Sequence, residues 1–404
     1  MKIPFSPPYI DDDVKQEVLS ALDSGWITTG PKVKELENLV SEFCDVEAAL
    51  GVNSATSGMM LSLHWFNVKE GDEVIIPAYT YCATALAVMH LKATPVMVDV
   101  TEDFTIDISK IKEAITSKTK AILLVDYAGW LCDYDEVFEL VNTSEIKEMF
   151  VAENEVQRQL GRVLVLADAA HSFGGVYNNK RSGSIADITV FSFHAVKNLT
   201  TAEGGMICLN MPEPFVNKKI YQTLRLWSLN GQTKDALTKS QSGAWKYDIV
   251  YAGFKMNLPD VLAAIGLAQF RKYKDDLLVE RKRVFDTYDT MLSYYDWAIL
   301  PPFHKEGCSP SYHLYPLRIK GITEQQRDAV INCITEKGVS VNVHFIPLPM
   351  LSVFKEKGYN INNYPQSYLQ YVNEISLPVY PQLSHQDCLK VIEAVVESVK
   401  SIMA

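Results

Sequence analysis

Short apolar runs recur along the first 210 residues, with longer mixed segments between them. They lie at residues 72–78, 94–100, 120–128 and 162–170. Runs that are rich in Val, Ile and Leu and do not alternate with polar residues are typical of strands buried on both faces of a parallel sheet. Ahead of them, residues 34–43 carry apolar side chains at i, i+3, i+4 and i+7, counted from Leu36. That spacing predicts an amphipathic helix. The alternation of strands and helices along the first 210 residues predicts an α/β domain with a mostly parallel central sheet.

The pattern changes near residue 255. Residues 258–292 have the periodicity of one or two long helices, 312–319 and 339–346 are strand-like, and 386–402 predict a closing helix. We therefore expect a large α/β domain over residues 1–255, followed by linking helices and a small α+β domain over 256–404. Within the large domain, the charged stretch 143–162 is long for a connection and predicts a surface helix or insertion.

Composition narrows the function classes. The chain has 404 residues, 48% of them hydrophobic, and a net charge of -11, which argues against a nucleic-acid-binding protein. Neither an N-terminal apolar core nor a membrane-length run is evident. Seven scattered cysteines without a CxxC pair predict reduced thiols in a cytoplasmic protein. Phosphate-loop, dinucleotide, GxSxG and metal-ligand motifs are absent, so we expect no metal site.

A small-residue turn opens an apolar helix in "GVNSATSGMMLSLHWF" (51–66). Free amides at a helix start, with the hydroxyls of Ser54, Thr56 and Ser57 nearby, can bind an anion. The same hydroxyls are also ordinary helix caps, and the sequence leaves both interpretations open.

Two charged residues follow predicted strands. Asp168 ends the run "VLVLAD", where a buried carboxylate is costly without a positive partner. That partner could be a protonated pyridine nitrogen, and the alternatives are an arginine or hydrogen bonds from a backbone cap. Lys197 follows the strand-like "FSFH", in a stretch rich in Ser, Thr and Gly. It could be a surface lysine, part of a phosphate loop, or an amine nucleophile with a lowered pKa. Their separation of 29 positions suits one crossover between neighbouring strands, and Ser192 and His171 are close by in the sequence.

Taken in order, these segments resemble the DegT/DnrJ/EryC1/StrS family of nucleotide-sugar aminotransferases nearly end to end. The resemblance is carried by "SGWITTGPKVKELE", "GVNSATSGM", "GDEVIIPAYTYCATA", "KAILLVDYAG", "ADAAHSFGG", "RSGSIADITVFSFHAVKNLTTAEGGMI", "GFKMNLPDVLAAIGLAQ" and "VNVHFIPL". It implies a fold-type I transferase that depends on pyridoxal 5'-phosphate (PLP).

The resemblance also assigns residues. Lys197 would hold the cofactor covalently and shuttle a proton, and Asp168 would keep the pyridine nitrogen protonated, so that the ring acts as an electron sink. Further cofactor contacts would come from Ala55, Thr56, Ser57, Tyr81, His171 and Ser192. Lys255 or Asn257 would reach the phosphate of a partner subunit, which implies a homodimer with shared active sites. Trp26, Thr28 and His344 would border the substrate.

Two departures from the family pattern concern Ala202, where relatives often have glycine, and Pro349, which replaces a second histidine near the sugar site. The segments 224–237, 245–250 and 253–260 most resemble members that build 4-amino-4,6-dideoxy sugars. We therefore expect amino transfer from glutamate, less readily glutamine, to C4 of a UDP-linked 2-acetamido-4-keto-6-deoxyhexose for a surface polysaccharide or glycan. The alternatives are a family transaminase acting at C3 or on a cyclitol for an antibiotic, and a PLP-binding regulatory protein without turnover.

Overall fold

The computed structural model describes residues 2–234 and 246–403. Its helices are α1 (Asp12–Asp23), α2 (Pro31–Cys44), α3 (Ala55–Trp65), α4 (Cys82–His90), α5 (Ile108–Ala114), α6 (Tyr134–Asn142), α7 (Ser144–Met149), α8 (Glu155–Leu160), α9 (Asn217–Ser228), α10 (Asp260–Lys272), α11 (Leu278–Leu292), α12 (Glu324–Glu336), α13 (Ser352–Lys355), α14 (Pro365–Asn373) and α15 (His385–Met403). Its strands are β1 (Ala48–Val52), β2 (Glu73–Pro77), β3 (Thr94–Val98), β4 (Thr119–Val125), β5 (Leu164–Asp168), β6 (Val176–Tyr177), β7 (Lys180–Arg181), β8 (Ile188–Ser192), β9 (Gly205–Leu209), β10 (Ala298–Ile299), β11 (Tyr315–Ile319) and β12 (Glu374–Leu377).

Among the described residues, seven strands form the central sheet in the order β1-β9-β8-β5-β4-β2-β3. The strands from β8 to β3 pair in parallel, and β9 is antiparallel to both of its neighbours. The four apolar runs all lie in this sheet, as β2, β3, β4 and β5, and the helix predicted at 34–43 is part of α2. The prediction of a mostly parallel α/β sheet is confirmed.

Burial on both faces explains why these runs do not alternate. In β4, Ile122 and Leu124 belong to one hydrophobic core, whereas Ala121 and Leu123 belong to another on the opposite face. Each fully buried Leu or Ile side chain contributes ~1.5–3 kcal/mol relative to an exposed one. Both faces of the strand must therefore be apolar, because helices cover each of them.

The C-terminal segment builds a third core. Helix α10 continues through a π-helical turn, Tyr273–Leu277, into α11. The antiparallel sheet β10-β11-β12 then packs with α11, α12 and α15. Residues 143–162 form two short helices, α7 and α8, and the buried Gln157 donates its Nε2 hydrogen to the carbonyl of Phe66 at 2.8 Å. The domain boundary at residue 255 stays a prediction.

One strand prediction is wrong. Residues 339–346 form only isolated bridges, Ile3 with Val339 and Asn342 with Ser376, instead of a strand. Side chains replace the ladder partners at His344: its N–H donates to Glu374 Oε2 at 3.0 Å, and its carbonyl accepts two tyrosine hydroxyls. Since these partners come from separate elements, the apolar pattern of the segment could not show them. Across residues 2–234 and 246–403, every helix is too short or too polar to cross a membrane.

Candidate active site

The carboxyl ends of the parallel strands meet at one edge of the sheet, where ligands of such sheets bind. Strand β5 ends at Asp168 and β8 at Ser192, while the turn after β1 leads into α3. A cavity of about 450 Å³ opens there. Nine of the residues that the sequence suggested line it: Ser54, Ala55, Thr56, Tyr81, Asp168, His171, Ser192, Lys197 and His344.

Asp168 is a buried carboxylate, 5% exposed. Its Oδ2 accepts a hydrogen bond from Thr84 Oγ1 at 2.7 Å, and its Oδ1 accepts one from the backbone N–H of Ala170 at 3.3 Å. Burial raises the pKa of Asp168, while these two hydrogen bonds and the charge of Lys197 oppose the rise. A cationic ligand group in the cavity would therefore be stabilised strongly at this oxygen pair.

Lys197 lies on the loop between β8 and β9 and lines the same cavity. Burial lowers the pKa of Lys197 to about 8, with the Asp168 carboxylate opposing the shift. About one amine in ten is then neutral at pH 7, against roughly one in three thousand for an ordinary lysine. The side chain can thus act as a nucleophile or a base at neutral pH.

The start of α3 carries a serine cap and free backbone amides beside the cavity. Ser54 caps the helix by accepting the N–H of Ser57 at 3.1 Å, and its Oγ lies 2.9 Å from Ser57 Oγ. The amides of Ala55 and Thr56, in the first turn, have no carbonyl one turn earlier to bond. Ser57 serves the cap and does not line the cavity. The helix-cap interpretation is therefore confirmed for Ser54, while Ser54, Ala55 and Thr56 line the cavity and anion binding there stays a prediction.

Gly205 brings this helix start against the sheet. In register it pairs with Val52 on one side and Ser192 on the other. A Cβ on Gly205 would lie 2.8 Å from Ala55 N and 2.8 Å from Phe191 O, both of them backbone atoms. Only glycine permits this approach, which sets the free amides of α3 beside the Ser192 hydroxyl.

Two buried histidines border the cavity in neutral form. His171 Nδ1 accepts the N–H of Ala128 at 3.2 Å, so its own proton lies on Nε2. The His171 ring stacks on Phe345 and has its centroid 4.4 Å from that of His313. Burial lowers the pKa of His171 and of His313 well below their usual range, and the nearby charge of Lys197 lowers both further. His313 was missed, although a histidine in the apolar "SYHLYPLRI" was a usable signal.

Sequence reasoning also missed Thr84 and Asp126. Thr84 is a fully buried hydroxyl within the apolar helix α4, and its Asp168 contact joins residues 84 apart in the chain. Asp126 follows β4 just as Asp168 ends β5, so the strand-end argument applied to it too. Asp126 is, however, held by Ser172, Tyr134 and the Cys132 amide, and burial raises its pKa to about 7.

Four suggested residues lie apart from this cavity. Trp26 Nε1 donates to the carbonyl of Thr29 at 3.2 Å, and Asn257 Nδ2 donates to Thr29 Oγ1 at 2.6 Å. The carbonyl of Thr28 accepts the N–H of Asp260, at the start of α10. Lys255 is exposed nearby. The structure thus gathers them into a second cluster, which we call the α10 cluster (Trp26, Thr28, Lys255 and Asn257).

Among residues 2–234 and 246–403, no group of three or more His, Cys, Asp and Glu side chains is placed to hold a metal ion. The segments that resemble members building 4-amino-4,6-dideoxy sugars include parts of 235–245, which lie outside the described residues.

Comparisons with known proteins identify the family of the chain. Residues 8–396 match the model of the DegT/DnrJ/EryC1/StrS aminotransferase family. The chain is 34% identical over 405 residues to the spore coat polysaccharide biosynthesis protein SpsC of Bacillus subtilis, covering 98% of this chain and 97% of that protein.

Solved structures are similar over the whole length. The PLP form of the sugar aminotransferase Spr1654 from Streptococcus pneumoniae, described as putative, is 39% identical, with a TM-score of 0.95 and all of both chains covered. Helicobacter pylori PseC, an aminotransferase of pseudoaminic acid biosynthesis, is 26% identical, with a TM-score of 0.86 over 99% of this chain and 100% of PseC. The chain therefore belongs to the DegT/DnrJ/EryC1/StrS aminotransferase family, and it is an enzyme that uses pyridoxal phosphate as its cofactor.

Proposed function

We propose that this enzyme transfers an amino group from glutamate to a nucleotide-linked keto-sugar, with C4 of a UDP-linked 2-acetamido-4-keto-6-deoxyhexose as the favoured target. The observation that carries the reaction class is one cavity shared by Lys197, Asp168 and the start of α3. The substrate class is supported by the roles that SpsC and PseC have in polysaccharide and pseudoaminic acid synthesis. A surface polysaccharide or glycan is the corresponding product class.

The residues present fit the cofactor. The buried Asp168 needs a cation, and a protonated ring nitrogen would supply it. The amides of Ala55 and Thr56 with the Ser192 hydroxyl would hold a phosphate, in the cradle that a Cβ on Gly205 would fill. Tyr81 leaves 59% of its surface exposed beside the cavity, which offers a ring face for stacking.

Each side chain then has a definite task. Bound PLP supplies an electron sink for the carbon that loses or gains a proton. Asp168 would hold the ring nitrogen in its protonated form, and Thr84 holds Asp168 in place. Lys197 Nζ, neutral in a useful fraction because burial lowers its pKa to about 8, would take the proton from the substrate carbon and return it. His171 offers its Nε2–H to the same cavity.

The α10 cluster is proposed to serve the cavity of a second copy in a homodimer. Trp26, Thr28, Lys255 and Asn257 stand together outside the cavity of their own chain. Two exposed apolar side chains lie near these residues in the sequence: Ile27, between Trp26 and Thr28, is 53% exposed, and Ile249, which precedes Lys255, is 52% exposed. Surface of this kind supports an interface, and Lys255 or Asn257 would complete the partner's phosphate site.

The first experiment tests cofactor attachment. The purified wild-type chain with PLP should show the yellow absorbance of covalently held cofactor, and Lys197→Ala should abolish it. The exposed Lys180 supplies a matched control, since Lys180→Ala removes an amine that is not part of the cavity lining. An unchanged band in Lys197→Ala would make the assignment wrong.

The second experiment tests the reaction. Glutamate should bleach the band and release 2-oxoglutarate, and a panel of nucleotide-linked keto-sugars should restore the band, with product NMR identifying the aminated carbon. Absence of the glutamate half-reaction would favour a PLP-binding regulatory protein. Turnover restricted to 3-keto-sugars or cyclitol ketones would refute the proposed substrate while leaving the reaction class intact.

A further inference from the structure

One histidine of the cavity, His344, belongs to a buried hydrogen-bond network with Ser376 and Glu374. His344 lines the cavity, and its Nδ1 lies 2.9 Å from Ser376 Oγ. The Ser376 hydroxyl is also hydrogen bonded to Glu374 Oε1. Ser376 and Glu374 lie on β12, and both are fully buried. The other carboxyl oxygen, Glu374 Oε2, accepts the backbone N–H of His344 at 3.0 Å.

The position of His344 is fixed from several sides. Tyr79 and Tyr127 each donate a hydroxyl hydrogen to its carbonyl at 2.6 Å. The ring of Phe5 stacks on the imidazole, with centroids 5.5 Å apart and planes at 23°. Because Nδ1 is engaged by Ser376, the ring edge that carries Nε2 is the one left to the cavity.

The Ser376 hydroxyl has one hydrogen and two neighbours, so it donates to one and accepts from the other. With Glu374 ionised, Ser376 donates to the carboxylate and accepts from Nδ1–H, and His344 Nε2 is then an acceptor. With Glu374 protonated on Oε1, the carboxyl donates to Ser376, which donates to Nδ1. The imidazole proton then lies on Nε2, which becomes a donor. One proton on Glu374 thus inverts the tautomer of an imidazole that stays neutral.

We propose that Glu374 and Ser376 are positioning residues that select which ring nitrogen of His344 carries the proton, and thereby whether His344 offers the keto-sugar a hydrogen-bond donor or an acceptor. The consequence for the sugar rests on the proposed function, whereas the tautomer selection is a property of the protein itself.

Burial and the charges around this hydrogen-bond network allow the tautomer of His344 to change near neutral pH. Burial raises the pKa of Glu374 to about 8, opposed by its hydrogen bonds from Ser376 and His344 and by the charges of Arg327 on α12 and Arg318 on β11. Burial, with a smaller effect of the Lys197 charge, lowers the pKa of His344 to about 3, so the imidazole stays neutral while Glu374 titrates.

Other titratable groups face the same hydrogen-bond network. Burial raises the pKa of Tyr79 and of Tyr127 well above their usual value, so neither ionises in this range. Lys197 faces His344 from the cavity, and its own pKa, lowered by burial, is about 8. A test must therefore separate the ionisation of Glu374 from that of Lys197, which Glu374→Gln does because it leaves Lys197 in place.

The experiment is ¹⁵N NMR of histidine-labelled, PLP-loaded full-length enzyme, with His344→Gln to assign the resonances of His344. In the wild type, the imidazole should change from the Nε2–H to the Nδ1–H tautomer as the pH rises from about 7 to about 9. Glu374→Gln should hold the Nε2–H tautomer throughout, because its carboxamide can donate to Ser376 as a neutral carboxyl does. Ser376→Ala, a second variant that keeps Glu374, should also lose the pH response.

A wild-type imidazole with one tautomer across this range would overturn the proposal, as would a Glu374→Gln enzyme that still switches. Both outcomes are read without turnover, so they are independent of the substrate assays. In kinetics, the wild-type KM for the keto-sugar should change about three- to tenfold over the same range, the factor that one neutral hydrogen bond contributes. The part of that dependence that comes from Glu374 should vanish in Glu374→Gln, leaving only the part due to Lys197, and a Glu374→Gln enzyme with the full wild-type KM profile would contradict the proposal.

Discussion

Replacing Gly205 with alanine tests whether the start of α3 is the phosphate site. The new Cβ would lie 2.8 Å from each of three backbone atoms: Ala55 N, Ser54 C and Phe191 O. These atoms belong to a helix start and a central strand, so they cannot move aside as the tip of a side chain can. The variant must therefore push α3 away from β9, and with it the amides beside Ser192.

Gly205→Ala should lower both the stability of the protein and its affinity for PLP. Overpacking a closely packed contact costs about 1–3 kcal/mol of stability. A hydrogen bond to a charged group contributes about 1.5–3 kcal/mol. Loss of one amide–phosphate contact should therefore weaken PLP binding about 10- to 100-fold.

A matched control lies one strand away. Gly51 on β1 pairs with Met206, and a Cβ there would meet side-chain atoms of Val33 and Leu258 at 3.3–3.4 Å. PLP titration followed by absorbance, with the melting temperature of the cofactor-free protein, measures both effects for Gly205→Ala and Gly51→Ala. If Gly205→Ala binds PLP as tightly as Gly51→Ala and the wild type, the start of α3 does not hold the phosphate and this reasoning fails.

Three further outcomes are expected. Thr84→Val removes the hydroxyl that donates to Asp168 at 2.7 Å, so the dissociation constant for PLP should rise about tenfold or more; an unchanged constant would mean that Thr84 does not support Asp168. Ala202 has φ of 64°, a left-handed conformation that suits glycine, so Ala202→Gly should raise the free energy of unfolding in urea by up to about 1 kcal/mol, and a loss of stability would contradict the strain. The rate of PLP capture by the cofactor-free enzyme should rise with pH around a midpoint near 8, the pKa to which burial lowers Lys197, and level off once the amine is neutral; a midpoint near pH ~10 would indicate an ordinary lysine.

The local sequence pattern was sufficient to predict those elements whose structure depends on residues adjacent in the sequence. The apolar runs became β2 to β5 because a strand buried on both faces needs apolar residues at every position. The gathering of Asp168 and Ser192 was predictable as well, since the carboxyl ends of parallel strands share one edge of the sheet. The resemblance to the family supplied the roles of these residues, and the strand ends explain why they meet.

Only the tertiary structure decided the contacts between distant elements. Thr84 bonds Asp168 from α4, and Glu374 with Ser376 holds His344 from another sheet, at sequence separations of 30 to 84 residues. The strand predicted at 339–346 was wrong for the same reason, because tyrosine and glutamate side chains replace its ladder. The sequence by itself thus determined the parallel sheet, the edge of the sheet at which the cavity opens, and the amine and carboxylate that line it. Packing between distant elements decided which hydroxyls and imidazoles surround them, and in which protonation state, because burial and hydrogen-bond partners exist only once the chain has folded.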